Sequence, residues 1–506
     1  MLYLSDLYEV SALQLSDLSD VDNLDQYIHY FEYMKSEFRK FASLLTFPIT
    51  IFYEPMYVDR AFRDCYYSFF ASKHFQVSKN CQRITLFEGL FSLSDFYCND
   101  TINILKSSII GTIVIRPLKD GTWGQSLIDP KKLNQKTFFV RTTPYLHIIN
   151  GIDFIINAYP FSSQDTEMMS CAETSIWTML NYYGNRYPEY RTVLPSEIIS
   201  EVDSTSKQRV LPTQGLDYLQ KSNLLKRFGF SPRVYSREIY GDTETKRTFH
   251  YYVESGIPLT ISLNKHSTVC IGHAKNNVPI SSITPDSING FSFVDSSDLH
   301  TEYVIIDDNQ YPYKIETYDN FSLHDNSKQL VLFTVPLYKR IFLEANAAER
   351  IFNAIIRLLF ENTTFKFIQD YWELLIHNKS EPIIKRIFLT SSRKYKAFRI
   401  RNAYNESESA YYLNLHFPKF IWVMELTTST YYNSDDKKVL GEIVLDATAS
   451  KYSNIESIIS MRIGKIFTHR MPDDDINCLY KHLNIKKEIS DFLKQYENNL
   501  IRGGTI

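Results

Sequence analysis

Apolar residues recur at three- and four-residue steps along 21–45, at Leu24, Tyr27, Ile28, Phe31, Met34, Phe38, Phe41 and Leu45. This spacing predicts one amphipathic helix, closed by Pro48. A short strand follows at Ile49–Tyr53, then a helix that Asp59 caps and that runs to about Ser72. Ile84–Phe91, Gly111–Ile115, Phe138–Val140, His147–Ile149 and Phe154–Ala158 carry the β-branched and aromatic residues of strands. Arg116 and Trp123 fall in a Gly-containing stretch that reads as a turn, packed there or closing over a cleft. The first 150 residues are thus mixed α and β.

The pattern then turns helical. Ala172, Ile176, Met179, Leu180 and Tyr183 predict a buried helix that starts at Cys171 and is capped by Gly184. Helices follow from Pro195, over Gly215–Phe228 with Gly229 as its stop, and over Thr243–Glu254. Strands come next, at Pro258–Leu263, Ser267–Ile271 (stopped by Gly272), Tyr303–Ile306 and Gln329–Pro336. Helices first and strands afterwards describe an α+β domain in two layers. Beyond 340 the pattern changes again. Ala345–Phe360, Phe365–Ile376 and Ile485–Tyr496 read as helices. Ile387–Thr390, Phe398–Arg401, Tyr411–Leu415, Ile421–Leu426 and Gly441–Leu445 read as strands. The division expected from these shifts is 1–150, 151–338 and 339–506, with Gly503-Gly504 in a frayed terminus.

Composition adds exclusions. The 506 residues are 44% hydrophobic with a net charge of -3, so there is ample core and no broad basic field for nucleic acid. No apolar run is long enough to span a membrane, and Met1–Glu9 lacks the basic and apolar regions of a signal peptide. A cytoplasmic, reduced protein is the expectation. Six cysteines without a CxxC pair argue against a disulfide framework or a structural zinc. The acidic run Asp473-Asp474-Asp475 reads as a solvated loop.

Chemistry concentrates at Cys171. A cysteine at the first turn of a helix meets free backbone N–H groups and the positive end of the helix dipole, which favour thiolate. The same placement suits a small buried hydrophobe. A nucleophilic cysteine needs a base and a group to orient it. His266 begins one strand, and Asp307-Asp308 end the next strong one. Cys, His and Asp in these positions can converge at one sheet edge, as a triad requires. His273 is the rival base and Asp308 the rival orienting group. Glu173, in the first helical turn, either complements the dipole or touches substrate.

Three anchors then match a known pattern in order. They are Gln164 with Cys171-Ala172 and Tyr182-Tyr183-Gly184, then Gly256-x-Pro258 leading to His266, Val269, Ile271 and Gly272, then Tyr303–Ile306 before Asp307. Over roughly 155–335 the chain resembles papain-like cysteine peptidases, most closely the branch that cleaves double-glycine leader peptides. Gln164 lies seven residues before Cys171, where that branch has six. The resemblance implies a core of helices packed on an antiparallel sheet, flanked by two mixed α/β domains. It implies Cys171 as nucleophile, His266 as base, Asp307 as orienting group, and Gln164 with the Cys171 N–H as oxyanion donors. No cofactor and no metal are implied. The expected function is hydrolysis of a peptide or isopeptide bond in a protein or peptide substrate, in a bacterial defence, toxin or conjugate-processing setting, with the flanking domains open to a protein partner. The alternatives are a thiol acyltransferase or amidase on the same triad, and a non-catalytic binding relative.

Overall fold

Strands rich in β-branched and aromatic residues open the chain and form an antiparallel sheet in sequence order: Ser11–Leu15, Ile49–Tyr57, Cys81–Glu88, Ile109–Ile115 and Trp123–Ile128. The computed structural model describes residues 10–263, 266–275, 278–319, 332–376, 381–450, 456–470, 484–485, 489–497 and 500–505. The acidic run at 473–475 lies outside them. Among them the chain is a mixed α+β protein with several antiparallel sheets, and no helix is long and apolar enough to cross a membrane.

A second sheet of eight strands is the centre of the molecule. The strand His266–Ala274 lies within it, between Leu259–Leu263 and Glu302–Ile306, both antiparallel to it. Side chains alternate between the two faces of this sheet. Val269, Ile271, Val304 and Ile306 join the core formed with Ile176, Met179 and Leu180 of the helix Cys171–Arg186 and with Ile51, Ile113 and Trp123 of the first sheet. Cys270, Tyr303 and Ile305 face the other way. They pack with Phe249, Tyr252 and Val253 of the helix Arg237–Glu254 and with Ile387 and Trp422 of a third sheet. That third sheet contains Ile383–Ser391, Phe420–Thr428, Gly441–Asp446 and Ile458–Ile463. A buried ionic chain ties the layers together. Glu254 pairs with Arg386 at 2.6 Å, Arg386 with Glu425 at 2.7 Å, and Arg399 with Glu425 at 2.7 Å.

Strand pairing runs across the expected boundaries at 150 and 338. Phe138–Val140 pairs with the far end of the His266 strand, Val140 opposite Gly272. Phe291–Asp295 leaves the central region to pair parallel with Ile383–Ser391. Ile501–Gly503 returns to pair with Phe138–Val140, so Gly503, expected to begin a frayed terminus, is the last residue of a strand of the central sheet.

Other expectations are corrected by tertiary contacts. The 21–45 helix is instead three helical pieces, Leu18–Gln26, Phe31–Tyr33 and Lys35–Ala42, broken where Tyr30 adopts a left-handed φ of 62°. Its apolar positions Leu24, Ile28, Phe31, Phe38 and Phe41 are buried all the same. The stretch around Trp123 is a strand rather than a turn. Phe398–Arg401 and Tyr411–Leu415 are not strands but fall in helices Ser392–Arg401 and Glu406–Asn414, whose starts are capped by Ser391 and Asn405. A short apolar run alone cannot separate strand from helix, and the caps decide. At 485–496 the described residues hold the short strands Asn484–Ile485 and Leu493–Lys494 in place of a helix. There, pairing of Leu493 with Val439 overrides local periodicity.

Two glycines stand inside elements they were expected to end. Gly184 is within the Cys171 helix, where a Cβ would meet the Arg191 carbonyl carbon and the Thr192 nitrogen at 2.3 Å. Gly272 is within the His266 strand, and a Cβ there would lie 1.9 Å from the Phe139 carbonyl oxygen. Both are glycine because another segment of backbone crosses against them. Gly272→Ala is therefore expected to lower the denaturant midpoint, by about 1–3 kcal/mol or more in unfolding free energy. An unchanged midpoint would mean that the Phe139 strand does not approach so closely.

Candidate active site

Ser170 caps the helix that begins at Cys171. Its hydroxyl accepts from the Ala172 N–H, and its own N–H donates to Glu173 Oε2 at 3.2 Å. Glu173 is fully buried, and its second oxygen accepts from the Thr213 hydroxyl at 2.6 Å. Glu173 is thus half of a capping box and is committed to holding the helix start. The loop ahead of Ser170 is built by Asp165, whose buried carboxylate accepts the backbone N–H groups of Glu167, Met168 and Met169. Arg116 secures the other side of that loop by donating to the carbonyls of Gly121 and Ser163. Arg116 and Trp123 are both buried, Trp123 in the core shared by the first sheet and the Cys171 helix.

The helix start meets the sheet through Ser175, one turn after Cys171, whose hydroxyl donates to the Ser267 carbonyl at 3.1 Å. This sets Cys171 beside His266, close enough for the thiol to help keep the imidazole charged. Register supplies the third group. Val269 lies opposite Ile306 on antiparallel strands, so the residues after Ile306 run back alongside the start of the His266 strand. Asp307 Oδ1 lies 3.0 Å from His266 Nε2, while Asp308 Oδ1 lies 3.9 Å away. With Nε2 turned to Asp307, Nδ1 is left for the thiol. The rival base His273 is far from this chemistry in role. The strand register shifts between Cys270 and Gly272, and His273 turns to the opposite layer, with Nε2 2.8 Å from the Glu254 carboxylate and its ring packed on His250 and His300.

Gln164 is brought to the same place by a different route. Its carboxamide donates to Asn309 Oδ1 at 3.0 Å, and the Asn309 N–H donates to Asp307 Oδ1 at 3.0 Å. The loop carrying Gln164 and the loop carrying Asp307 are thereby joined. Asn309 is the residue that sequence reasoning missed, and its signal was its position directly after Asp307-Asp308.

The electrostatics follow from the geometry. Burial opposes charge on His266, but hydrogen bonds to Asp307 and Cys171 and the two aspartates outweigh it. The imidazole pKa rises from 6.5 to about 10. Burial also resists charge on Asp307, yet the His266 hydrogen bond prevails and its pKa is lowered. Asp308 is 5% exposed and its carboxylate oxygens accept no hydrogen bond among the described residues. Burial pushes its pKa up to about 7, with His266 opposing and Asp307 adding to the rise. The pair thus divides into a carboxylate that stays ionised beside His266 and a carboxyl whose pKa lies near 7. Burial holds the thiols of Cys65, Cys81 and Cys270 above the usual cysteine range, whereas Cys171 is half-buried.

His266, Asp307 and Asp308 are also the one group among the described residues whose donor atoms converge closely enough for a metal ion, within 4.8 Å of one another. A metal on Nε2 would displace the hydrogen bond to Asp307, so the three residues serve either as a metal site or as an oriented imidazole.

The raised imidazole pKa has a definite consequence for stability. Because the folded value lies above the unfolded one, His266 contributes in full below pH 6.5, and the contribution is lost as pH rises towards 10. Asp307→Asn is expected to lower the His266 pKa by at least one unit in histidine NMR titrations, with Asp308→Asn moving it less. An equal or larger shift in Asp308→Asn would make Asp308 the orienting group. No family model matches this chain, and no curated protein matches it in sequence.

Proposed function

We propose that the protein is a cysteine peptidase of papain-like arrangement, cleaving a peptide or isopeptide bond in a protein or peptide substrate. The observation that carries this reading is His266 held between the Cys171 thiol and the Asp307 carboxylate. An imidazole with two such partners keeps its proton and stabilises a thiolate beside it.

In the proposed reaction the Cys171 thiolate attacks the carbonyl carbon and a C–S bond forms. Negative charge gathers on the carbonyl oxygen, where the Cys171 N–H and the Gln164 carboxamide are the assigned donors. For that role Gln164 exchanges Asn309 for the substrate oxygen. The C–N bond breaks as the His266 imidazolium gives its proton to the leaving amine. His266 has then lost the thiolate that favoured its charge, and it takes a proton from water. The resulting hydroxide attacks the thioester, the carboxylic acid leaves and the thiol is regenerated. Asp307 orients the ring throughout.

Iodoacetamide labelling at pH 6, read peptide by peptide, provides the first test. Cys171 should label faster than the exposed Cys98, and His266→Ala should slow it about tenfold or more. A proteome-derived peptide library should yield new carboxyl termini with the wild type, at least about a thousandfold fewer with Cys171→Ala. Equal labelling of Cys171 and Cys98 would overturn the reading. Products that appear only with an added primary amine as acceptor would make the enzyme an acyltransferase.

A further inference from the structure

Lys221 lies in the helix Tyr218–Arg227 and is 2% exposed. A buried ammonium is costly unless it is compensated. Its compensation here is unusual. Nζ donates to Ser262 Oγ at 2.7 Å and to Ser267 Oγ at 2.9 Å, and no carboxylate pairs with it among the described residues. The two serines face each other across the hairpin, one pair inward from Leu263 and His266. Ser267 directly follows His266, and its carbonyl holds the Cys171 helix through Ser175. The ammonium therefore sits beneath the point where the nucleophile's helix meets the base's strand.

The neighbouring acids are committed elsewhere. Glu173 is engaged by Ser170 and Thr213, and Asp217 accepts the Gln220 N–H at the start of Lys221's own helix. Hydrogen bonds from neutral donors leave Glu173 and Asp217 charged, and both help to hold the ammonium, but neither pairs with it directly, and Cys171 acts on it more strongly than either. We propose that Lys221 is a charge-balancing residue of the Cys171 site, a second cation besides His266 that holds the thiolate. It works through space and through the Ser262–Ser267 pair, without touching substrate. This rests on Cys171 being the nucleophile.

The charges around Lys221 support the assignment. Burial lowers its pKa to about 8, and the strongest interaction opposing that fall is with Cys171, ahead of Glu173 and Asp217. Lys221 is thus cationic below about pH 8 and neutral above it.

The test is the pH profile of Cys171 alkylation by iodoacetamide in the full chain. Lys221→Met should alkylate at least fivefold more slowly than wild type at pH 6, and the gap should close by pH 10, where Lys221 of the wild type is itself neutral. Lys221→Arg, keeping the charge, should retain the wild-type profile. A reciprocal measurement does not depend on the folding of either variant. In Cys171→Ser the thiolate is gone, and the Lys221 pKa read by lysine 13Cε NMR should fall by about one unit. A Lys221→Met protein that melts lower but keeps the wild-type alkylation profile would make Lys221 a purely structural tie, as would an unmoved Lys221 pKa in Cys171→Ser. Both leave the nucleophile reading intact. Wild-type Cys171 that alkylates no faster than Cys98 would overturn both.

Discussion

The antiparallel pairing of His266–Ala274 with Glu302–Ile306 is the constraint on which the rest of the molecule depends. Its register determines that the chain leaving Ile306 passes the start of the His266 strand, and so which carboxylate reaches the imidazole. The same two strands, by alternation, present Val269 and Val304 to one layer and Cys270 and Tyr303 to the other. A sheet apolar on both faces must be covered twice. The Cys171 helix covers one face and the Arg237–Glu254 helix the other, so Cys171 is positioned by the requirement to bury the sheet.

Polar groups near the site divide into those that hold and those free to act. Asp165, Glu173 and Arg116 spend their hydrogen bonds on the loop and helix start ahead of Cys171. Asn309 ties Gln164 to the Asp307 loop. His273, the rival base from its place in the chain, is absorbed with Glu254 into the contact between the central and third sheets. What remains around the thiol is an imidazole, its aspartate, a second carboxyl held near neutrality, and a buried ammonium. Such a concentration of shifted groups is a feature of sites that do chemistry.

The flanking regions are part of the same construction. The first sheet shares a core with the Cys171 helix, and the third sheet shares one with the Arg237–Glu254 helix and is locked to it by Glu254 and Arg386. Composition shifts along the chain divide it into thirds, yet strands from each third enter a sheet of another. Ile501–Gly503 closes the edge beyond Phe138–Val140, so the end of the chain completes the sheet that carries His266. Sequence reading treats neighbours along the chain as neighbours in space, and these pairings join residues far apart in the chain.

The sequence by itself determined the elements whose signals are local. The Cys171 helix, the strands at His266 and Tyr303, the Asp59 cap and the apolar face of 21–45 follow from periodicity and capping, which act over a few residues. It also singled out Cys171, His266, Asp307 and Gln164, because their spacing resembles a known pattern. Only the tertiary structure put His266 rather than His273 beside Cys171, and Asp307 nearer to its ring than Asp308. The reason is physical: a strand's register, a bulge at Cys270 and the layer a side chain faces depend on pairing partners far away in the chain. The same holds for Gly184, Gly272, the helices at Ser392 and Glu406 and the closing strand at Ile501, where a crossing backbone, a cap or a distant edge outweighed local preference. Lys221 belongs with them. In the chain it is one lysine on a polar helix, and only packing buries its charge against Ser262 and Ser267 beside His266.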